Sequence, residues 1–213
     1  MRVFKVAEER VDVVPNGADV QKLYGCPLVP SLAQESIGLG EDEKMVFFFG
    51  SLNHGANAQA ADIILDEIAG RLTQLRPQRD WRIVICGLGR EKYLARRRDP
   101  VPDSVLFSGY VDEIAPVIKA AHVVIVPIIS GSGTRFKIIE GVAGGRRVIS
   151  TTIGAEGLDL ASFGETLLIR DDWDDFVRAI DEALDRQPEV ALPAAFVEAY
   201  DWQHIFERAD LSW

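Results

Sequence analysis

The sequence contains only two cysteines in 213 residues, Cys26 and Cys86, and they lie far apart. Neither a CxxC pair nor a metal-ligand spacing is present, so we expect no metal site. Cys86 ends an apolar run and is interpreted as a small core residue. A disulfide would require an oxidising compartment, which nothing else in the sequence indicates.

A long hydrophobic run is also lacking. No apolar stretch approaches the roughly 18 residues that span a bilayer. The first residues, MRVFKVAEERVDVV, include Glu8, Glu9 and Asp12, whereas a secretory signal carries a continuous apolar region. We therefore expect no transmembrane segment and a cytoplasmic location.

Positive charge is scarce, with 23 Lys and Arg against 33 Asp and Glu and a net charge of −10. Phosphate contacts require a basic surface, so this balance argues against nucleic acid as a general partner. The basic run at Arg96 to Asp99 is interpreted as the solvated end of a helix. What remains, 47% hydrophobic and 26% charged residues, is typical of a globular protein with a substantial core.

Short apolar runs alternate with helical patterns along the chain. The runs predict buried strands at Met45–Gly50, Trp81–Gly87, Ser104–Gly109, His122–Pro127, Arg147–Thr151 and Glu165–Ile169. Helical spacing predicts helices at Ala56–Arg76, Arg90–Arg98, Glu113–Ala120, Arg135–Val142 and Trp173–Arg186. This alternation predicts an α/β fold, a doubly wound Rossmann-like parallel sheet of about six strands.

We divide the chain into three parts. Residues 1–40 are predicted to be a lead-in strand and linker, and residues 41–190 the Rossmann-like domain. Residues 191–213 contribute C-terminal helices to that domain, with Asp201 placed to cap the last one. No internal repeat or low-complexity tract interrupts this organisation.

The stretch PIISGSGTRFKIIE joins a predicted strand to a predicted helix through Gly131, Ser132, Gly133 and Thr134. A glycine loop that opens a helix presents unpaired backbone N–H groups at the positive end of the helix dipole, which favours an anion. Arg135 and Lys137 add positive charge, and Glu140 supplies an acceptor for sugar hydroxyls. This pattern indicates a nucleotide-diphosphate or sugar-phosphate site. The alternative is that Arg135 and Lys137 form the solvated face of an amphipathic helix.

Two weaker patterns follow other predicted strands. The segment CGLGREKY lacks the third glycine of the dinucleotide fingerprint, and no acidic residue ends the next strand, which disfavours a nicotinamide site. Asn53, His54 and Asn57 follow the first strand at the edge where such sheets bind ligands. They are equally well explained as loop and N-cap residues.

The order of VVPNGAD, FFGSLNHGAN, IVICGLG, VLFSGYVDE, VVIVPIISGSGTRFKIIEGVAGGRRVISTTIGAEGLDL and AYDWQHIFERA resembles the C-terminal half of retaining family-4 glycosyltransferases. These enzymes have the GT-B architecture of two facing Rossmann-like domains, the second of which binds the nucleotide-sugar donor. The resemblance extends from about Val11 to Ala209. It implies a glycosyltransferase of the hexosyltransferase type, in polysaccharide biosynthesis, that uses a nucleotide-diphosphate sugar as donor and needs no cofactor.

The resemblance also implies roles for individual residues. Glu140 matches the family's glutamate that contacts the ribose, whereas Ser132 stands where the family has its first glutamate. A GSGT-x-x-K-x-x-E subgroup shares this departure. In that subgroup the Gly131 to Thr134 segment offers backbone amides to the sugar and diphosphate, and Lys137 or Arg135 balances the phosphate charge. We therefore predict Lys137 and Arg135 as catalytic residues.

The remaining predicted substrate-binding residues follow neighbouring strands. Many relatives carry an arginine and a lysine after Gly50 that clamp the diphosphate. Here Ser51 to Gly55 replace them, so Gly50 and Asn53 are predicted as donor contacts without that clamp. The loop at Gly87 is implied to pass close to the nucleotide, and Tyr110 to flank the base. Glu156 matches a residue near the donor side of the cleft, although a surface role is the simpler interpretation.

A GT-B enzyme also needs an acceptor-binding N-terminal domain, and about ten residues precede VDVVPNG here. We therefore expect half an enzyme, inactive alone, whose partners are a nucleotide sugar and either a separate acceptor-binding domain or a second copy of itself. A non-catalytic sugar-nucleotide-binding or assembly module stays open as the alternative. A third possibility is an unrelated doubly wound protein such as a receiver or a flavin binder. A receiver is disfavoured because it needs acidic residues at the end of its first strand, where this chain has FFFGS.

The C-terminus supports the expectation of self-association. Trp202, Ile205 and Phe206 share one helical face, and the resemblance implies that the final helix crosses toward the N-terminal domain. Without that domain, we expect the apolar face either to fold back on its own sheet or to stay exposed and favour a dimer.

Overall fold

A computed structural model describes residues 14–27, 37–40, 42–78, 80–131, 133 and 135–209. Six strands form one sheet: β1 (Lys44–Phe49), β2 (Trp81–Cys86), β3 (Val105–Gly109), β4 (Val123–Val126), β5 (Arg147–Ser150) and β6 (Leu167–Ile169). All neighbouring pairs are parallel, in the order β3-β2-β1-β4-β5-β6. The predicted fold class is confirmed.

The helices connect these strands in chain order. They are α1 (Val20–Tyr24), α2 (Gly55–Ile63, continuing through the π-helical turn Ile64–Ile68 into Ala69–Leu75), α3 (Arg90–Arg96), α4 (Ile114–Ala120), α5 (Phe136–Ala143), α6 (Trp173–Leu184), α7 (Ala194–Tyr200) and α8 (Trp202–Arg208). Short 3-10 segments at Ile153–Ala155 and Leu160–Thr166 follow β5. Every helix predicted from spacing is present, with ends that differ by a few residues.

Apart from Lys44 at the start of β1, the central strands β1 and β4 are apolar, because both faces of the sheet are covered. In β1, the residues from Met45 to Phe48 are fully buried, and all four residues of β4 are buried. Helix α5 lies close to the sheet because it carries Gly141: a β-carbon there would lie 2.9 Å from Val148 Cγ2. The resulting core fixes where the strands end, and therefore where the loops after them meet.

The C-terminal helices pack on the same core. The centroid of the Phe163 ring lies 5.2 Å from that of Phe196 and 5.1 Å from that of Tyr200. The backbone between α7 and α8 pairs with Ala18, whose N–H donates to the Tyr200 carbonyl at 2.8 Å. A segment that precedes the six strands in sequence is thus hydrogen-bonded to one that follows them.

Two details differ from the sequence analysis. Helix α1 lies in the region predicted as a lead-in strand and linker; its five residues are too few to show a helical period. Asp201 precedes α8 but its side chain makes no cap hydrogen bond. Its carboxylate instead accepts a hydrogen bond from the Val20 N–H at 3.4 Å, since α1 begins against it. The capping prediction for Asp201 is therefore wrong.

Candidate functional site

The site predicted from the sequence lies where the order of the strands reverses. Strand β1 stands between β2 and β4, so the connections from β1 and β4 leave the sheet in opposite directions. Ligands of open α/β sheets bind in the crevice outside the carboxyl ends of strands at such a point. Gly50 follows β1 and Gly87 follows β2, while Gly131 lies in the connection that leaves β4.

The loops after β1 and β2 touch through their backbones. Gly87 has φ +149°, and a β-carbon on it would lie 2.2 Å from the Gly50 carbonyl oxygen. Gly50 has φ +144°. Both backbone conformations are ones that residues with a β-carbon rarely adopt. Glycine at these two positions therefore keeps the floor of the crevice free of side chains.

Lys137, in the first turn of α5, reaches across to this floor. A β-carbon on Gly50 would lie 2.8 Å from Lys137 Nζ, and the ammonium lies 5.8 Å from the centre of the Phe48 ring. Within the described residues, Lys137 makes no hydrogen bond or ion pair. Burial lowers the pKa of Lys137, and the charge of Glu140 partly opposes this shift. A half-buried cation without an anionic partner is suited to receive an anion.

Glu140 lies one turn further along α5 and faces a different space. It lines a groove of about 330 Å³ together with α1, the start of α4 and Trp202 of α8. Burial raises the pKa of the Glu140 carboxyl, while the nearby charge of Lys137 opposes the shift. Among the described residues nothing donates a hydrogen bond to this carboxylate. Its free oxygens can therefore accept from hydroxyl groups of a bound molecule.

Arg135 does not share the position of Lys137. Its buried guanidinium lies 3.4 Å from Glu156 and donates a hydrogen bond to the Gly131 carbonyl at 3.2 Å. Arg135 also lines a second groove of about 670 Å³, to which neither Gly50 nor Lys137 contributes. The two cations predicted as catalytic thus face different spaces around the first turn of α5.

The other predicted contacts are less closely grouped. Asn53 lies against the loop after β2, since a β-carbon on Gly89 would meet Asn53 Oδ1 at 2.8 Å. Tyr110 is 61% exposed beyond β3. Gly131 and Gly133 both have positive φ, +98° and +124°. Ser132 and Thr134 fall outside the described residues. The described residues contain no group of three or more His, Cys, Asp or Glu side chains that could hold a metal ion.

Comparison with known proteins identifies the family. The family model described as "Glycosyl transferases group 1" matches residues 43–186. The chain belongs to this family. It is 26% identical to a D-inositol 3-phosphate glycosyltransferase of Nocardia farcinica over 97% of its length, and 26% identical to a phosphatidyl-myo-inositol mannosyltransferase of Mycolicibacterium smegmatis over 90%. These matches cover 48% of either relative, so the chain spans about half the length of the curated relatives it matches.

Solved glycosyltransferase structures share the fold. HepE of Anabaena, in complex with UDP and glucose, aligns with a TM-score of 0.70 at 17% identity, over 95% of this chain and 56% of its own. A glycosyltransferase of Rickettsia africae aligns with a TM-score of 0.72 at 15% identity, over the same shares. The predicted Rossmann-like half of a GT-B fold is thereby confirmed. No helix in the described ranges has the length and apolar character needed to cross a membrane.

In this member of the family, the structure brings Gly50, Gly87, Lys137 and Glu140 to one edge of the sheet. Sequence reasoning missed two features there. The contribution of α1 to the Glu140 groove gave no signal, because the helix is short. The contact between Arg135 and Glu156 joins residues 21 positions apart, which no local pattern reveals.

Proposed function

We propose that this chain is the donor-binding half of a retaining glycosyltransferase that takes a nucleotide-diphosphate sugar. The observation that carries this proposal is the Lys137 ammonium, half-buried beside the backbone of Gly50 and unpaired within the described residues. The family match supports a sugar-transfer role. HepE, a structural neighbour, was crystallised with UDP-glucose, which supports a nucleotide sugar as the ligand.

Each group at the edge of the sheet has a place in this proposal. Lys137 balances the charge of the diphosphate, which approaches the bare backbone at Gly50 and Gly87. Glu140 accepts hydrogen bonds from the ribose hydroxyls in the groove it lines. Gly131 and Gly133 let the backbone come close to the phosphate or the sugar. Asn53 and Tyr110 remain predicted contacts at the rim.

The proposed reaction moves a hexose to an acceptor hydroxyl. The bond between the anomeric carbon and the β-phosphate oxygen breaks, and its electron pair leaves with the nucleoside diphosphate. The acceptor oxygen bonds to the same face of that carbon, and its proton goes to the departing phosphate oxygen. The role of Lys137 is electrostatic: it stabilises negative charge that grows on the diphosphate, in a site where water is partly excluded.

The binding step can be tested directly. Isothermal titration calorimetry with UDP and GDP should show binding to the wild-type chain. Lys137→Met should weaken it by about tenfold or more, because hydrogen bonds to charged groups contribute about 1.5–3 kcal/mol. Glu140→Gln should also weaken it. The exposed residues Lys92 and Glu165 provide matched controls, and Lys92→Met and Glu165→Gln should bind as the wild type does.

A non-catalytic sugar-nucleotide-binding module is our second candidate, since Lys137 and Glu140 would hold the donor in the same way without any acceptor. Sugar transfer separates the two. We expect the chain to transfer no sugar alone, because acceptor binding and cleft closure are proposed to need a further domain. Activity that appears when an acceptor-binding domain of a relative is added would support the enzyme. Binding that never leads to transfer or hydrolysis in such mixtures would support the module.

A further inference from the structure

Arg135 immediately precedes α5, and its side chain is only 6% exposed. Its Nη2 donates to the carbonyl oxygen of Gly131 at 3.2 Å and lies 3.4 Å from Glu156 Oε2. The Nε atom is buried and has no hydrogen-bond partner among the residues that the structure describes. The guanidinium is therefore held from two directions inside the protein, rather than projecting into solvent as a free surface charge.

These contacts join two loops. Gly131 belongs to the connection after β4, whereas Glu156 follows the 3-10 segment Ile153–Ala155 after β5. Gly131 and Arg135 are also the two ends of the glycine segment that leads into α5. One side chain thus fixes the distance between the ends of this segment and attaches it to the neighbouring loop.

We propose that Arg135 is a positioning residue and not a ligand of the diphosphate, with Glu156 as the partner that orients it. This inference rests on the proposed donor site. Lys137 lies at the Gly50 backbone, while Arg135 lines the separate groove with Glu156 and Ile139. The two cations then have distinct roles: Lys137 meets the phosphate charge, and Arg135 fixes Gly131 relative to the start of α5 and to the loop that carries Glu156.

The two roles of Arg135 predict opposite effects for one substitution. If Arg135 positions the segment, Glu156→Gln removes its ionic partner and weakens nucleotide binding. If Arg135 is a phosphate ligand that Glu156 holds back, the same substitution frees the guanidinium and tightens binding. Titrations of UDP and GDP into the Glu156→Gln chain should show affinity about three- to tenfold lower, a modest loss because the Glu156 side chain is 73% exposed and water screens its contact with Arg135.

A second substitution separates charge from shape. Arg135→Lys keeps the positive charge, but the lysine side chain is one bond shorter, so its ammonium cannot take the place of the single Nη2 atom that contacts both Gly131 and Glu156. We expect Arg135→Lys to lose as much affinity as Arg135→Gln. Affinity close to that of the wild type in Arg135→Lys would mean that charge alone suffices, and the positioning role would be wrong.

Hydrogen exchange tests the same role without nucleotide. Peptides covering residues 129–140 should exchange faster in Glu156→Gln than in the wild type. Glu182 offers a matched control, because it pairs with Arg186 at 3.8 Å on an exposed helix face and neither residue lines the groove that Arg135 and Glu156 share. Glu182→Gln should leave these peptides unchanged. Unchanged exchange in Glu156→Gln, or tighter nucleotide binding, overturns the inference.

Failure of the donor site would look different. If neither UDP nor GDP bound to the wild-type chain, the proposed function would be rejected, and the exchange rates would still decide whether Arg135 and Glu156 hold the segment. If both nucleotides bound and Lys137→Met weakened them while Glu156→Gln did not, the donor site would stand and the role of Arg135 would not.

Discussion

The end of the Lys137 side chain lies beside Gly50, where a β-carbon would lie 2.8 Å from Lys137 Nζ and 2.7 Å from its Cε. This contact joins the end of β1 to the first turn of α5. A side chain at residue 50 would have to displace the end of Lys137, and the backbone there also has φ +144°. The position of the cation therefore depends on glycine.

Gly50→Ala should destabilise the protein by about 1–3 kcal/mol, because alanine would have to adopt a strained backbone conformation and displace Lys137. Urea unfolding followed by circular dichroism measures the change. UDP and GDP should also bind more weakly to this variant. Gly70 in α2 is a matched control, since a β-carbon there meets no atom within 4 Å. Gly70→Ala should stabilise the protein by up to about 1 kcal/mol, and equal stabilities for both variants would contradict the strain argument.

Lys137→Met should bind nucleotide more weakly than the wild type but should unfold less readily. The pKa of Lys137 is lowered from its ordinary value of 10.5 mainly by burial, so the folded state disfavours the charge. The unfolded state binds more protons in the range just below 10.5, and wild-type stability therefore rises with pH there. We expect Lys137→Met to be more stable than the wild type at pH 7, with a difference that shrinks toward pH 10.5. Urea titrations at several pH values measure this, and a variant less stable at pH 7 would show that the charge stabilises the fold.

Glu140→Gln should show the opposite pH dependence. Burial raises the pKa of Glu140 above its ordinary 4.5, so the folded state binds the proton more tightly than the unfolded state. The favourable contribution of the protonated form is complete below pH 4.5 and is lost as pH rises through the raised pKa. Glu140→Gln should therefore exceed the wild type in stability at pH 7 and approach it below pH 4.5. A difference that stays constant with pH would mean that Glu140 is not the titrating group.

The features predicted correctly from the sequence are those that local patterns determine. Runs such as MVFFF show a buried strand because both faces of the sheet are covered, and the residue after them is glycine because the backbone turns there. Lys137 and Glu140 lie three residues apart on one helix, and this spacing predicts that both lie near the same edge of the sheet. The sequence does not predict which groove or loop each side chain faces, because this depends on how α5 packs against the rest of the fold. Arg135 precedes Lys137 by two residues, yet it faces Glu156 in a different loop.

The aromatic cluster under α7 gives a prediction about the core. Phe196 is fully buried, and its ring lies 5.2 Å from that of Phe163 and 5.4 Å from that of Tyr200. Phe196→Ala should cost about 3–5 kcal/mol, because the apolar contacts are lost and a cavity is left. Thermal and urea unfolding measure the loss. A change below about 1 kcal/mol would mean that α7 contributes little to the folded state.

Phe206 tests the predicted self-association. The apolar residues of α8 differ in exposure. Ile205 is 2% exposed and packs inward, whereas Phe206 is 55% exposed and its ring stacks on that of Trp202, with 5.5 Å between the centroids. Because an exposed ring adds little to the folding of one chain, Phe206→Ala should change stability by no more than about 0.5 kcal/mol.

If a dimer forms through this face, the substitution should shift its dissociation to higher protein concentration, since apolar area buried between two copies is lost. Sedimentation equilibrium over a wide concentration range, with Leu75→Ala at a distant exposed site as the control, measures this effect. A wild-type chain that stays monomeric throughout, or a dimer that Phe206→Ala leaves unchanged, would assign this surface no part in self-association.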